Sequence, residues 1–138
     1  MTQVAFHTGL TDKTHHLLRL IRKASRQGAR LLVLCEQPGA LSQALWALSP
    51  LDFVAHATLD ASPATVAAST VLLSDHAPVP GRDCSADVLI NATAAWPSAY
   101  RGFARVIELV GPDPADLAAG RERWRLYRAN GVEPEKHG

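Results

Sequence analysis

The sequence predicts an α/β domain, a largely parallel sheet flanked by helices. Three observations carry that expectation. Short apolar stretches of strand length alternate with helical stretches along the chain. The run RLLVLC at 30–35 is apolar without alternation, as a strand covered on both faces requires. Between Asp12 and Gln27, Leu17, Leu20, Ile21 and Ala24 recur on one face, with Arg19, Arg22, Lys23 and Arg26 on the other.

Each element follows from local chemistry. Residues 4–8 read as a short strand, and Gly9 turns the chain. Asp12 or Thr11 caps the first helix and Gly28 closes it. Pro38 and Gly39 open a second helix to about residue 48, with Leu41, Leu45 and Trp46 along it; Ser49-Pro50 ends it. Residues 52–56 read as a short strand or extended piece, 57–69 as a loop, and 70–73 as a strand. Pro78, Pro80 and Gly81 mark 77–84 as irregular. Two more strands are expected at 87–90 and 105–110, with a short helical link at 97–102 between them. Asp113 then caps the last helix, with Pro114 at its first position and Asp116 in its first turn, and Gly131 ends it. Residues 132–138 are expected to be a polar C-terminal tail outside a single domain spanning 1–131.

Composition narrows the function. With 138 residues the chain can bury a core without disulfide staples. A charged content of 20% and an apolar content of 47% are those of a folded globular chain. The net charge of +1 argues against coating nucleic acid. The apolar run at 31–35 is far short of the ~20 residues of a spanning helix. The start lacks the basic and apolar regions of a secretory signal, and Cys35 and Cys84 lack metal-site spacing. A reducing cytoplasm, no cofactor and no metal are therefore expected.

Charge is unevenly distributed. Residues 1–30 carry six basic side chains against Asp12 alone, whereas 31–100 carry only Arg82 against six acids. Residues 121–128 hold four arginines and one glutamate. Two short basic segments in a nearly neutral chain suit an acidic partner better than a long nucleic-acid track.

Catalytic motifs are missing. There is no phosphate-binding loop, dinucleotide fingerprint, nucleophile elbow or zinc motif, and the adjacent His15 and His16 point in different directions on a helix. Cys35 at a strand end and His56 after a strand are the two candidates for a small α/β enzyme. A buried small hydrophobe and a structural histidine are the plainer readings. A direct single-stranded DNA binder would use the basic face at Arg19, Arg22, Lys23 and Arg26, which is otherwise a solvated helix face.

Two features stand out. On the last helix Leu117, Arg121, Trp124 and Arg128 are spaced four, three and four, so they share one stripe, with Arg125 beside it. Ala115, Ala118, Ala119, Leu126 and Ala129 lie roughly opposite and are expected to pack on the sheet. A Trp between guanidinium groups offers an apolar floor with forks that grip carboxylates. That suits a peptide ending in an aromatic residue and a free carboxylate. Spacing alone equally permits Trp124 in the core with solvated arginines. Trp46 and Phe53, across a helix end, are either a partner anchor or ordinary core aromatics.

Several segments, in order, resemble the chi subunit family of bacterial DNA polymerase III. They are FHT at 6–8, RKASRQGAR at 22–30, LLVLC at 31–35, LSQALWALSPLDFVAH at 41–56, DVLIN at 87–91 and RERWRLYRANG at 121–131. The resemblance implies a non-catalytic accessory subunit with a nucleotide-binding-like fold that lacks the phosphate loop. It implies binding of the acidic, Phe-terminated C-terminal tail of single-stranded DNA-binding protein, and of the psi subunit that leads to the clamp loader. The tail site maps onto Val110, Arg121 and Trp124, with Arg125 and Arg128 beside them. Trp124 stands where the family often has Tyr. Leu117 stands where some relatives have a basic residue, so Arg125 or Arg128 is expected to supply that charge. The surface for psi, or for a helicase that uses the same face, maps onto Trp46 and Phe53, with the family proline shifted to Pro50. Nucleic acid is contacted only through partners.

Overall fold

The computed structural model describes residues 2–46, 56–58, 71–75, 86–98 and 100–137. Among the described residues seven strands form one sheet in which each pairing is parallel. In chain order the elements are β1 (Gln3–His7), α1 (Lys13–Arg26), β2 (Leu31–Leu34), α2 (Pro38–Trp46), β3 (His56–Thr58), β4 (Val71–Ser74) and β5 (Val88–Asn91). They continue with a 3-10 turn (Tyr100–Gly102), β6 (Arg105–Leu109), α3 (Pro114–Ala129) and β7 (Glu135–His137). The strand order is β3-β4-β2-β5-β6-β1-β7.

Strand alternation sorts the core into two layers. One face carries Val4, Phe6, Leu32, Leu34, Leu72, Leu89, Val106 and Val110, packed with Tyr127 of α3. The other carries Leu31, Val33, Val71, Leu73, Ile90, Ile107 and Leu109 against Leu17 and Ile21 of α1 and Leu41 of α2. All four residues of β2 are therefore buried, which explains its unbroken apolar run.

Local signals act as the sequence leads one to expect at several boundaries. Asp12 caps α1, its carboxylate accepting from the His15 N–H at 3.0 Å. Asp113 caps α3 in the same way through the Ala115 N–H at 2.9 Å, with Pro114 following it. Gly28 and Gly131 adopt positive φ just past their helices. Of the strand expected at 52–56, His56 is described and opens β3, and Ala57 and Thr58, expected in a loop, belong to that strand. Residues 52–55, 59–69 and 77–84, with the expectations placed on them, lie outside the described residues.

Two elements depart from expectation. The inward face of α3 is not its alanine face: Gly120, Arg123 and Tyr127 are buried, whereas Ala115, Ala118 and Ala129 are exposed. The reason is Glu108, fully buried in β6. Its Oε2 accepts from Arg123 Nε at 3.1 Å, Asn91 Nδ2 at 3.3 Å and the Tyr127 hydroxyl at 3.3 Å. A carboxylate in the sheet needs such partners, and alanine offers none. In the second, the stretch expected as a polar tail contains β7, an exposed strand paired with β1.

Burial pushes the Glu108 carboxyl up, to about 7, against the opposing pull of Arg123, Asn91 and Tyr127. Arg123 retains 1% of its surface and also donates to the Ala94 carbonyl at 3.2 Å. Removing one partner leaves the other charge buried. Arg123→Ala should cost about 3–5 kcal/mol, read as a lower urea midpoint.

His7, His16 and His137 meet on the α1 side of the sheet. His7 Nδ1 lies 2.9 Å from His16 Nε2, and the His7 and His137 rings are 5.4 Å apart. Burial first, then His16, His137, Arg105 and Lys23, lower His7 to about 4 from the ordinary 6.5. The unfolded chain thus takes this proton before the folded chain does. The associated stability is full above about pH 6.5 and is lost as the pH falls toward about 4. Unfolding by urea should give a lower midpoint at pH 4.5 than at pH 7.5, and His7→Gln should remove that part of the difference.

Candidate functional site

Helix α3 starts at the carboxyl end of β6 and runs back across β1. Gly120 makes a close approach to Val110: a Cβ there would lie 2.8 Å from Val110 Cγ2. That proximity brings the next turn of the helix to the sheet margin. Trp124 packs edge-on against Phe6 of β1, with ring centroids 5.1 Å apart. Tyr127 holds the other side of Phe6 at 5.8 Å.

Beside these residues lies a cavity of about 340 Å³. Phe6, Val110, Leu117 and Trp124 give it apolar walls, and Arg121 and Lys136 bring positive charge to it. Trp124 is half-buried, so it belongs both to the margin of the core and to the cavity wall. Arg121 is exposed. Among the described residues no ion pair or side-chain hydrogen bond engages Arg121 or Lys136. An apolar floor with unneutralised cations at its rim can take an apolar ring carrying a carboxylate.

Of the sequence-predicted tail-site residues, the cavity joins Val110, Arg121 and Trp124. Arg125 and Arg128 are exposed on α3 and do not line it. Arg125 is closed on Glu122, with Nε at 3.1 Å from Oε2 and a second contact through Nη2. Arg123 points inward, as Glu108 requires. The arginine-rich segment therefore divides into the core residue Arg123, the paired surface residue Arg125, the cavity residue Arg121 and Arg128, exposed away from the cavity. Trp46 is the last residue of α2; its side chain, and Phe53 altogether, lie outside the described residues. Lys136 is the charged cavity residue that sequence reasoning missed; Phe6, Thr8 and Gly120 also line the cavity without having been assigned to it. The signal for Lys136 would have been a strand, and three polar residues do not announce one.

The enzyme candidates fare differently. Cys35 is buried after β2, and burial, followed by the nearby Asp75 charge, pushes its thiol up to about 11. A thiolate nucleophile needs the opposite shift. His56 opens β3, paired with Val71. Among the described residues no three His, Cys, Asp or Glu side chains are grouped to hold a metal. No described helix is long and apolar enough to cross a membrane.

The fold is of the α/β class, with a cation-rimmed apolar cavity beside the carboxyl ends of β1 and β6. Comparison with known proteins then fixes the family. Residues 1–135 match the family described as DNA polymerase III chi subunit, HolC. The chain is also 34% identical over 122 residues to the DNA polymerase III subunit chi of Pseudomonas aeruginosa (strain PAO1), covering 86% of this chain and 81% of that protein. The chain belongs to the DNA polymerase III chi subunit family, whose members are non-catalytic accessory subunits of the replicase in DNA replication.

Cys35 should accordingly behave as a core residue. Its alkylation in the native protein at neutral pH, followed by peptide mapping, should be at least on the order of a hundredfold slower than in urea.

Proposed function

We propose that this chain joins the replicase to single-stranded DNA-binding protein by holding that protein's acidic, Phe-terminated C-terminal tail in the cavity between α3 and β1. The observation that carries this is the convergence of Val110, Arg121 and Trp124 on one apolar cavity with a free guanidinium at its rim. The terminal Phe ring packs against Trp124 and Val110, and its carboxylate pairs with Arg121. Arg128 and, beyond its pairing with Glu122, Arg125 attract upstream acids at longer range, screened by salt. One such peptide site gives micromolar affinity, about −8 kcal/mol. A DNA-bound partner that displays several tails strengthens the attachment without new contacts.

The second partner surface, for psi and through it the clamp loader, or for a helicase on the same face, is assigned to Trp46 and Phe53. It is separate in sequence from the α3 cavity. Work at the replication fork places the protein in the cytoplasm, touching nucleic acid through its partners.

Binding of a fluorescent acidic peptide ending in Phe, followed by anisotropy, tests the reading. Arg121→Ala should weaken it by about 1.5–3 kcal/mol, the range for a hydrogen bond to a charged group, and higher salt should weaken the wild type. Trp46→Ala and Phe53→Ala should bind the peptide as the wild type does. Unchanged affinity in Arg121→Ala would remove the tail from this cavity.

A further inference from the structure

A short acidic peptide in this cavity needs a second cation near its chain. Leu117 supplies no charge, Arg125 is occupied by Glu122, and Arg128 does not line the cavity and acts only at longer range. The structure offers another candidate on the opposite wall. β7 pairs in parallel with β1, in the register Ala5↔Glu135, Phe6↔Lys136 and His7↔His137. Alternation therefore puts Lys136 on the same face as Phe6, the floor of the cavity, and Lys136 lines it. Glu135 and His137 fall on the other face, where His137 Nε2 lies 3.6 Å from Glu135 Oε2 and its ring faces His7. The acid of the strand is thus turned away from the cavity, and the lysine is turned toward it. The strand is fastened by the Thr8 N–H, which donates to the His137 carbonyl at 2.8 Å.

We infer that Lys136, presented by the C-terminal strand, is the residue that recognises a carboxylate upstream of the terminal Phe. The inference rests on the tail-binding reading above and assigns the acid specificity of that site to β7. Arg121 stands on α3 and Lys136 on β7, so the two cations come from different walls of one cavity. With the ring against Phe6 and Trp124 and the terminal carboxylate at Arg121, Lys136 is the other cation lining the cavity and the one available to an upstream carboxylate. An ammonium on a flexible stem meets a side-chain carboxylate without demanding one geometry, whereas the planar guanidinium suits the fixed terminal carboxylate. The lysine stem can lie along the apolar wall while its head stays in water.

The full-length chain separates the possibilities with two labelled peptides, both ending in Phe with a free carboxylate. One carries Asp upstream and the other carries Asn at those positions. Lys136→Gln should weaken the Asp peptide about five- to tenfold and leave the Asn peptide unchanged. Lys136→Arg should restore the wild-type preference. Arg121→Ala should weaken both peptides. If Arg121→Ala weakens both and Lys136→Gln weakens neither, Lys136 is not the reader of the acid and the tail site stands. Equal weakening of both peptides by Lys136→Gln also overturns the inference, because the lysine then serves the terminal carboxylate or the strand itself. If Arg121→Ala binds both peptides as the wild type does, the tail-binding reading falls and the inference with it. Thermal unfolding of each variant checks that β7 remains part of the fold.

Discussion

The buried ion pair between Glu108 and Arg123 sets the rotation of α3, and with it everything the helix presents. A charge in a parallel strand has no water to turn to, so its partner must come from the element packed above it. Arg123 meets that demand, and Tyr127, four residues on, meets it again from the same face. With those two positions turned inward, Trp124 falls at the edge of the interface and Arg121 falls outside it. Asn91 extends the constraint to the loop after β5: its side chain donates to the Ala95 carbonyl as well as to Glu108, and its oxygen accepts from the Thr93 N–H and hydroxyl. One polar cluster thus ties β5, β6, α3 and a loop into a single geometry. A buried pair of this kind is costly to desolvate, so its effect is on the orientation of α3 rather than on added stability.

The cavity follows from that rotation and from the close passage of Gly120 over Val110. Were α3 to stand a side chain further from the sheet, Trp124 would lose the edge contact with Phe6 that fixes its ring. The opposite wall is made independently, by a three-residue strand added at the margin of β1. The two sides of that strand have separate tasks. Its histidine joins the cluster with His7 and His16 on the α1 face, while its lysine reaches the α3 face. Parallel pairing with a strict period of two makes the division unavoidable once the register is set.

Much of this architecture is legible from residues alone. β2 follows from its unbroken apolar run, and α1 from its helical period with an Asp cap. The same rules fail on α3, because hydrophobic periodicity counts alanine as inward and arginine as outward. The contrary signal is the lone acid in RVIELV: a glutamate inside a strand otherwise fully apolar demands a cation, and the arginine-rich helix that follows is where one would look. The residues of the cavity on α3 were recognisable by spacing and by family resemblance together. Lys136 was recognisable by neither, since a strand of three exposed polar residues carries no hydrophobic pattern and is defined by its backbone partner.

An all-parallel sheet with helices on both faces commonly binds ligands beyond the carboxyl ends of its strands, often with a phosphate at a helix N-terminus. Here the N-termini of α1 and α3 are already supplied with anions from the chain itself. The Asp12 carboxylate takes an amide of the first turn of α1, and Asp113 takes one of α3. Asp116 adds another negative charge at the start of α3, where it accepts from the Gly111 N–H at 2.6 Å and pairs with Lys13 at 3.0 Å. A phosphate approaching either helix end would have to displace or repel a carboxylate. The free positive charge lies instead one to two turns further along α3, at Arg121, beside an aromatic wall and the edge strand. The fold therefore keeps the crevice at the ends of β1 and β6 but moves its cations off the helix end and onto side chains. That change suits a carboxylate beside an apolar ring better than the phosphates of a nucleotide.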